Sequence, residues 1–210
     1  MSRHYRMAVI GVSAGGLDAL SKLVSALPAD LSLPLAIVQH RSSDSGGFLA
    51  THLDGLSRPR VKEASDKEPV RPGIVYLAPA NYHLLLEKGK YVEESETFAL
   101  SVDERVNHSR PSIDVLFDSA ANVFGRELIG VVLTGGNADG SRGLKHIKRN
   151  GGTAIVQDPA TAEVDTMPKA AIEATQVDHV MSIEELALFL AECRANENNL
   201  DAYALAVNGA

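Results

Sequence analysis

The sequence predicts an α/β fold in which a mostly parallel, doubly wound sheet carries helices on both faces. Three observations support this prediction. Apolar strands alternate with amphipathic helices along most of the 210 residues. Several of the strands are apolar throughout, as strands covered on both faces are. Glycine-containing loops follow these strands. A less regular stretch in the middle of the chain predicts a short antiparallel excursion.

The first two strands are each followed by a helix. Residues Met7 to Val12 form an apolar run that ends in a glycine-rich turn, and leucines from Leu17 to Leu27 then recur at helical spacing. A second apolar run over 34–39 ends at His40, and the residues from Phe48 onward indicate another helix. This is the order of elements in a parallel sheet with helical crossovers.

The middle of the chain contains three short strand-like runs, at 74–78, 83–87 and 98–102, and we assign all three to the antiparallel excursion. From Ser112, which is expected to cap a helix, the chain returns to alternating helices and strands. The remaining predicted elements are a helix over 112–123, a strand over 128–134, a helix over 140–149, a strand over 153–157, a short helix from Pro168, a strand over 178–182 and a helix over 183–193. By its size the chain forms one domain over residues 1–194, with a C-terminal tail over 195–210.

Composition excludes several classes of function. The formal net charge of −7 and the lack of a basic cluster argue against nucleic acid or an anionic membrane surface as the partner. No apolar run approaches the roughly 20 residues that span a bilayer, so membrane insertion is not expected and a cytoplasmic location is. Cys193 is the only cysteine, which excludes an internal disulfide, and we place it on the core face of the last helix.

The turn after the first strand, Gly11-Val12-Ser13-Ala14-Gly15, fits the G-x-S-x-G pattern that exposes a nucleophilic serine. Alone this pattern is weak, because glycine-rich turns more often bind phosphate or simply pack. The dinucleotide pattern fails, since Ser13 replaces its second glycine and the second strand ends in His40 rather than an acid. No Gly-Lys-Ser/Thr follows, so the turn is not a P-loop.

His40 and Asp139 supply the other two residue types that a serine nucleophile needs. Taken singly, His40 is explained as a structural hydrogen-bonding residue and Asp139 as the cap of the helix that follows it. Together with Ser13, however, each follows the carboxyl end of a predicted parallel strand, and such loops open on the same edge of a sheet. The combination predicts a Ser-His-Asp triad, in a chain order that differs from that of ordinary α/β-hydrolases.

The sequence resembles the CheB-type protein-glutamate methylesterase/protein-glutamine glutaminase family of bacterial chemotaxis, over roughly residues 7–182. The motifs that carry the resemblance are Ile10-Gly11-Val12-Ser13-Ala14-Gly15-Gly16, Val38-Gln39-His40, Val75-Tyr76-Leu77-Ala78-Pro79 with His83, Arg110-Pro111-Ser112-Ile113-Asp114-Val115-Leu116-Phe117, Leu133-Thr134-Gly135 through Asp139-Gly140, Gln157-Asp158-Pro159 and Met167-Pro168.

The resemblance implies that Ser13, His40 and Asp139 are the catalytic residues, with backbone N–H groups near Ala14 and Gly136 receiving the oxyanion. It implies hydrolysis of glutamate γ-methyl esters on chemoreceptor helices, without a metal or organic cofactor. The partners are then the methylated receptor and, for regulation, a separate receiver protein or sensor kinase. The family usually carries a receiver domain before the esterase, and we expect none in this chain.

The aspartate loop departs from the family pattern T-G-M-G-x-D-G, because Gly136 and Asn137 occupy its third and fourth positions. Asn137 is among the few residues that tolerate the backbone angles of glycine. We also expect Arg41, Arg110 and Arg142 either to meet an acidic receptor helix or to serve as ordinary surface arginines. Two alternatives remain open from sequence: a non-catalytic module that binds receptors or a kinase, and a small-molecule esterase.

Overall fold

In a computed structural model, the described residues are 4–41, 47–89 and 95–193. The strands are β1 (Met7–Val12), β2 (Leu35–Gln39), β3 (Arg60–Glu63), β4 (Ile74–Leu77), β5 (His83–Glu87), β6 (Thr97–Ser101), β7 (Leu128–Val132), β8 (Thr153–Gln157) and β9 (His179–Met181). The helices are α1 (Gly16–Ala26), α2 (Phe48–Leu56), α3 (Ile113–Phe124), α4 (Ser141–Arg149), α5 (Thr166–Ala174) and α6 (Ile183–Glu192).

Seven strands form one parallel sheet in the order β3-β4-β2-β1-β7-β8-β9, which confirms the predicted doubly wound fold. The strands β2, β3 and β4 lie on one side of β1. The chain then crosses to the other side of β1, where β7, β8 and β9 follow one another. The order therefore reverses between β1 and β7. Doubly wound sheets open a crevice at the carboxyl ends of the strands at such a reversal, and ligands bind there.

The antiparallel excursion is smaller than predicted. Among the strands of the described residues, only β5 and β6 pair antiparallel, and they form a separate two-stranded sheet. The run at 74–78 was wrongly assigned to it, because β4 lies inside the main sheet, parallel to both β2 and β3. The edge strand β3 was missed, since Val61 is the only apolar residue of its Arg-Val-Lys-Glu sequence. An edge strand that is half exposed needs no apolar run.

Each face of the sheet is covered by its own apolar core. On one face, α1, α2 and α6 contribute to a cluster with residues such as Leu20, Leu53 and Leu186. On the other face, α3, α4 and α5 pack with the β5–β6 hairpin through residues such as Phe117 and Phe98. Burial of apolar side chains on both faces explains why β1, β7 and β8 are buried at every position.

The last helix begins with a capping box. The Ser182 side chain accepts from the Glu185 N–H, and the Glu185 side chain accepts from the Ser182 N–H. Cys193 follows this helix and packs, partly buried, against the core, as expected from sequence. The predicted tail over 195–210 lies outside the described residues. Over the described ranges, no helix is long and apolar enough to cross a membrane.

Candidate active site

Ser13 lies at the carboxyl end of β1, on the turn that leads into α1. Its N–H donates to the Thr134 carbonyl at 2.9 Å, which links this turn to the loop after β7. Both glycines of the serine motif are explained by the geometry. Gly15 has φ 75°, which favours glycine, and a Cβ on Gly11 would lie 2.2 Å from Cγ2 of Ile113 in α3. The motif therefore provides the tight turn and the close approach of α3.

His40 follows β2 on the neighbouring strand, and its backbone N–H donates to the Val12 carbonyl at 3.1 Å. The imidazole lies between the other two predicted residues, with Nδ1 3.2 Å from Ser13 Oγ and Nε2 2.7 Å from Asp139 Oδ2. An ionised carboxylate only accepts hydrogen bonds, so the proton of the neutral ring is on Nε2. The lone pair of Nδ1 is then directed at the serine hydroxyl, as a general base requires.

Asp139 is completely buried and highly hydrogen-bonded. Besides His40, its carboxylate accepts from the N–H groups of Ile113 at 2.8 Å and Asp114 at 3.1 Å, and from Ser112 Oγ at 3.0 Å. Burial alone would raise the pKa of this carboxyl, but the bonds from His40, Asn107 and the two backbone N–H groups outweigh it and lower the pKa. Asp139 is therefore ionised at neutral pH despite its burial.

The helix that Asp139 caps is not the one expected from sequence. The alternative prediction, that Asp139 caps the helix following it, is wrong, because the Gly143 N–H inside α4 donates to Asp114, and Asp139 accepts from Gly140, the residue before that helix. Asp139 instead accepts from the first N–H groups of α3. Ser112 was expected to cap α3 with its hydroxyl, but that hydroxyl donates to Asp139. The positive end of the α3 dipole thus stabilises the charge on Asp139.

Asp114, a residue of α3, caps the start of α4 in turn. Its Oδ1 accepts from the N–H groups of Gly140 at 3.1 Å and Gly143 at 2.7 Å, at the start of α4. The start of α3 is therefore capped by Asp139, from the loop before α4, and the start of α4 is capped by Asp114, from α3. Burial and the nearby charge of Asp139 raise the pKa of Asp114, against the opposing effect of Gly143 N–H.

Asn107 joins the two carboxylates, and sequence reasoning missed it. Its Nδ2 donates to Asp139 Oδ1 at 2.9 Å and to Asp114 Oδ2 at 3.0 Å. Asn107 has φ 51°, in a tight turn in which Val106 and Ser109 exchange both backbone hydrogen bonds. Asparagine tolerates this left-handed conformation better than most residues. Nothing in the sequence signals that the turn folds back onto Asp139.

Three polar side chains fix the loops around Ser13. Thr134 Oγ1 donates to the Ala14 carbonyl at 2.8 Å, and the Thr134 N–H donates to Gln157 Oε1 at 2.8 Å. From the other side, Gln39 Nε2 donates to the Ser13 carbonyl at 2.9 Å. These contacts join the ends of β1, β2, β7 and β8, so the serine turn is held by the sheet itself.

The two backbone N–H groups proposed to receive the oxyanion, those of Ala14 and Gly136, make no hydrogen bond with any other described residue. The neighbouring N–H groups are occupied, since Ser13 N–H donates to Thr134 and Gly135 N–H donates to the Val164 carbonyl. Ala14 and Gly136 are also solvent-exposed. These two groups are thus free to receive a ligand oxygen.

Asn137 does not use the glycine-like backbone angles that asparagine tolerates. The described non-glycine residues with positive φ are Lys67, Asn81, Asn107 and His108. Asn137 instead accepts the Asp139 N–H with its Oδ1 at 3.0 Å, which fixes the loop locally. At Gly136 a Cβ would meet only Val164 Cγ1 at 4.0 Å, so this position has room for the Cβ of the residue in the family pattern.

A pocket of about 240 Å³ adjoins His40. Two of the three arginines singled out from sequence, Arg41 and Arg110, line it. Arg142 lies elsewhere and pairs with Asp118 at 2.9 Å. His83 is buried between the Ser112 N–H and the Glu104 carbonyl, and His146 contacts Asp118, so both have structural partners.

Fold and site together define a doubly wound α/β protein with a candidate serine-hydrolase site at its topological reversal. The chain belongs to the CheB methylesterase family, whose model matches residues 8–190. A provisionally named protein-glutamate methylesterase/protein-glutamine glutaminase of Leptospira interrogans is 51% identical over 199 residues, covering 94% of this chain and 98% of that protein.

Longer relatives also match. A protein-glutamate methylesterase/protein-glutamine glutaminase of Anaeromyxobacter dehalogenans is 43% identical over 180 residues, which are 85% of this chain and 48% of that protein. The chain thus spans about half the length of that relative. The crystal structure of the Thermotoga maritima CheB methylesterase catalytic domain superposes with a TM-score of 0.85 and 36% identity, covering 90% of this chain and 98% of that domain.

Proposed function

We propose that this chain is a protein-glutamate methylesterase that hydrolyses γ-methyl esters of glutamate side chains on chemoreceptors, with Ser13 as nucleophile. The proposal rests chiefly on the hydrogen-bonded series Ser13 Oγ, His40 Nδ1, His40 Nε2 and Asp139 Oδ2. This series occurs in a chain that belongs to the CheB methylesterase family. The relatives named protein-glutamate methylesterase support the choice of substrate.

In the proposed reaction, Ser13 Oγ attacks the ester carbonyl while His40 Nδ1 takes the hydroxyl proton. The imidazolium that forms donates through Nε2 to Asp139, whose lowered pKa keeps it anionic. The negative charge that develops on the carbonyl oxygen is received by the free N–H groups of Ala14 and Gly136. Collapse of this intermediate expels methanol, which takes the proton from His40.

Water then hydrolyses the acyl-enzyme by the same proton transfers and leaves a glutamate carboxylate on the receptor. A glutamine side chain would react in the same way, with ammonia as the leaving group and His40 as its proton donor. This agrees with the glutaminase name of the relatives. The proposed steps use side chains and backbone groups of the chain together with one water molecule. Regulation by a separate receiver protein or sensor kinase, and a cytoplasmic location, remain predictions from sequence.

The test is methanol release from methylated receptor fragments by the wild type, Ser13→Ala and Ser25→Ala. Ser25 is an exposed serine of α1 whose hydroxyl donates to the Ser21 carbonyl, so it is a matched control. We expect release by the wild type and Ser25→Ala, and a loss of about 10³-fold or more in Ser13→Ala. Receptor binding without release by the wild type would instead identify a non-catalytic binding module. Release from small esters only would identify a small-molecule esterase.

A further inference from the structure

The pocket beside His40 is strongly basic in an otherwise acidic protein. Arg41, Arg105 and Arg110 line it together with His108, and no carboxylate lines it among the described residues. The whole chain, by contrast, has a formal net charge of −7. A basic concavity on an acidic surface focuses anionic groups. The pocket adjoins the candidate general base, so it lies within reach of a substrate whose ester is at Ser13.

The three guanidinium groups differ in how far the protein compensates their charge. Arg41 is paired with Glu63. Within the described part of the chain, Arg110 donates to neutral acceptors alone: Asn81 Oδ1 at 2.8 and 3.2 Å and two backbone carbonyls at 2.6 and 2.9 Å. Arg105 is exposed, and neither a hydrogen bond nor an ion pair joins it to the rest of the described chain. Two of the three charges are therefore available to a ligand.

The rim of the pocket is held in place by the same turn that supports Asp139. Asn107 points inward to the two buried carboxylates, while its neighbour His108 points to the pocket with φ 63°. That position of a tight turn usually carries glycine. The four hydrogen bonds of Arg110 fix the chain after the turn. Arg105 and His108 thus lie before and within a hydrogen-bonded turn next to His40.

The opposite side of the serine turn has the opposite charge. A smaller pocket of about 130 Å³ there is lined by Gly15 and Thr134 next to Ser13, and by the acids Asp18, Glu163 and Glu184. Its one lysine, Lys22, is paired with Asp18 at 2.7 Å. A substrate segment lying across Ser13 therefore meets positive charge on the His40 side and negative charge on the other.

We infer that the Arg105–Arg110 pocket is a subsite for a carboxylate of the substrate protein, on an acidic side chain close to the scissile glutamyl ester. This inference rests on the proposed function and specifies its substrate as an acidic segment bound in one direction. A carboxylate three or four residues away on a helix lies about 5–6 Å from the ester residue, one turn along the same face. Because the two pockets have opposite charge, the acidic end of the segment is placed on the His40 side.

The test uses helical peptides with one γ-methyl glutamate and one further residue, Glu or its neutral isostere Gln, placed three or four positions before or after it. For the preferred placement, we expect the wild type to show a kcat/KM about fivefold higher with Glu than with Gln. The difference should come from a lower KM for the Glu peptide, with kcat unchanged. This preference weakens in Arg105→Ala, where Arg110 remains, is lost or reversed in Arg105→Glu, and falls at high salt. Arg149→Glu is the control, because Arg149 is exposed at the far end of α4 and does not line the pocket.

The preference is also measured as binding of the same peptides to Ser13→Ala, which does not require turnover. Equal affinity for Glu and Gln peptides at every placement overturns the subsite, and so does a preference that survives Arg105→Glu in a folded protein. Absence of methanol release from every peptide by the wild type refutes the proposed function instead. The binding measurement then decides on the subsite independently.

Discussion

Replacing Asn107 by glycine tests how far one amide supports the buried carboxylates of the site. Glycine retains the left-handed backbone at φ 51° and deletes only the side chain, so backbone strain does not enter. The lost interactions are two hydrogen bonds to carboxylates, at 2.9 Å to Asp139 and 3.0 Å to Asp114. Bonds to charged groups contribute about 1.5–3 kcal/mol each. With a discount for their partial exposure, the variant should lose about 2–4 kcal/mol of unfolding free energy at pH 7.

The loss should depend on pH in a defined direction. Asp139 has a lowered pKa, so its stabilisation is present at neutral pH and is lost as pH falls through its folded-state pKa. Asp114 has a raised pKa, so its ionised form costs stability at neutral pH, and protonation relieves that cost as pH falls. The Asn107 amide stabilises both ionised forms. The difference between wild type and Asn107→Gly should therefore shrink as pH is lowered from 7 through the folded-state pKa of Asp114 and towards the lower pKa of Asp139.

Urea unfolding between pH 7 and pH 3 measures this difference, and methanol release measures the effect on Asp139. Four other donors, from Ser112, Ile113, Asp114 and Gly140, still hold the carboxylate, so we expect a fall in kcat of only about tenfold. Lys67→Gly is the control, since Lys67 is also left-handed at φ 59° but contacts neither carboxylate. A stability loss that is the same at pH 3 and pH 7, or no greater than in the control, would refute the reasoning.

Further predictions concern close packing and thiol reactivity. A Cβ on Gly135 would lie 3.0 Å from Ser13 Cβ and 2.7 Å from Met167 Cε, whereas one on Gly136 would be at van der Waals distance from Val164. Gly135→Ala should therefore displace Ser13 and reduce kcat for methanol release at least tenfold. Gly136→Ala should retain most of the activity in the same assay. Equal effects of the two substitutions would contradict this geometry. Burial raises the pKa of the Cys193 thiol from 9.0 to about 11, so Ellman's reagent at pH 8 should react about 100-fold faster in urea than with the folded protein. Equal rates in the two conditions would mean that the thiol is not buried.

The parallel sheet was predictable because its strands are apolar at nearly every position, and such runs have few alternative structures. The edge strand β3 was not, since Arg60, Lys62 and Glu63 have no apolar pattern and pair only because β4 lies beside them. The wrong placement of β4 had a related cause. Its short apolar run does not indicate whether its partner is β2 or β5, and that choice is made by tertiary packing.

The candidate site divides in the same way. Ser13, His40 and Asp139 were predicted as a site because each follows the carboxyl end of a parallel strand, and such loops converge at one edge of the sheet. The support of Asp139 by α3, Asp114 and Asn107 was not found, because it depends on the packing of α3 against α4 and on one turn folding back. Local capping rules assign Asp139 and Ser112 to the helices nearest in sequence, whereas the partners are exchanged in space.

Trapping of the acyl-enzyme tests the central claim, the nucleophilic role of Ser13, most directly. The wild type and Ser13→Ala are mixed with a peptide containing γ-methyl glutamate, quenched in acid within the first turnover and digested for mass spectrometry. We expect the wild type to carry the peptide, minus methanol, on Ser13, and Ser13→Ala to carry no adduct and release no methanol above background. An adduct on another residue, or methanol release by Ser13→Ala at the wild-type rate, would contradict the assignment.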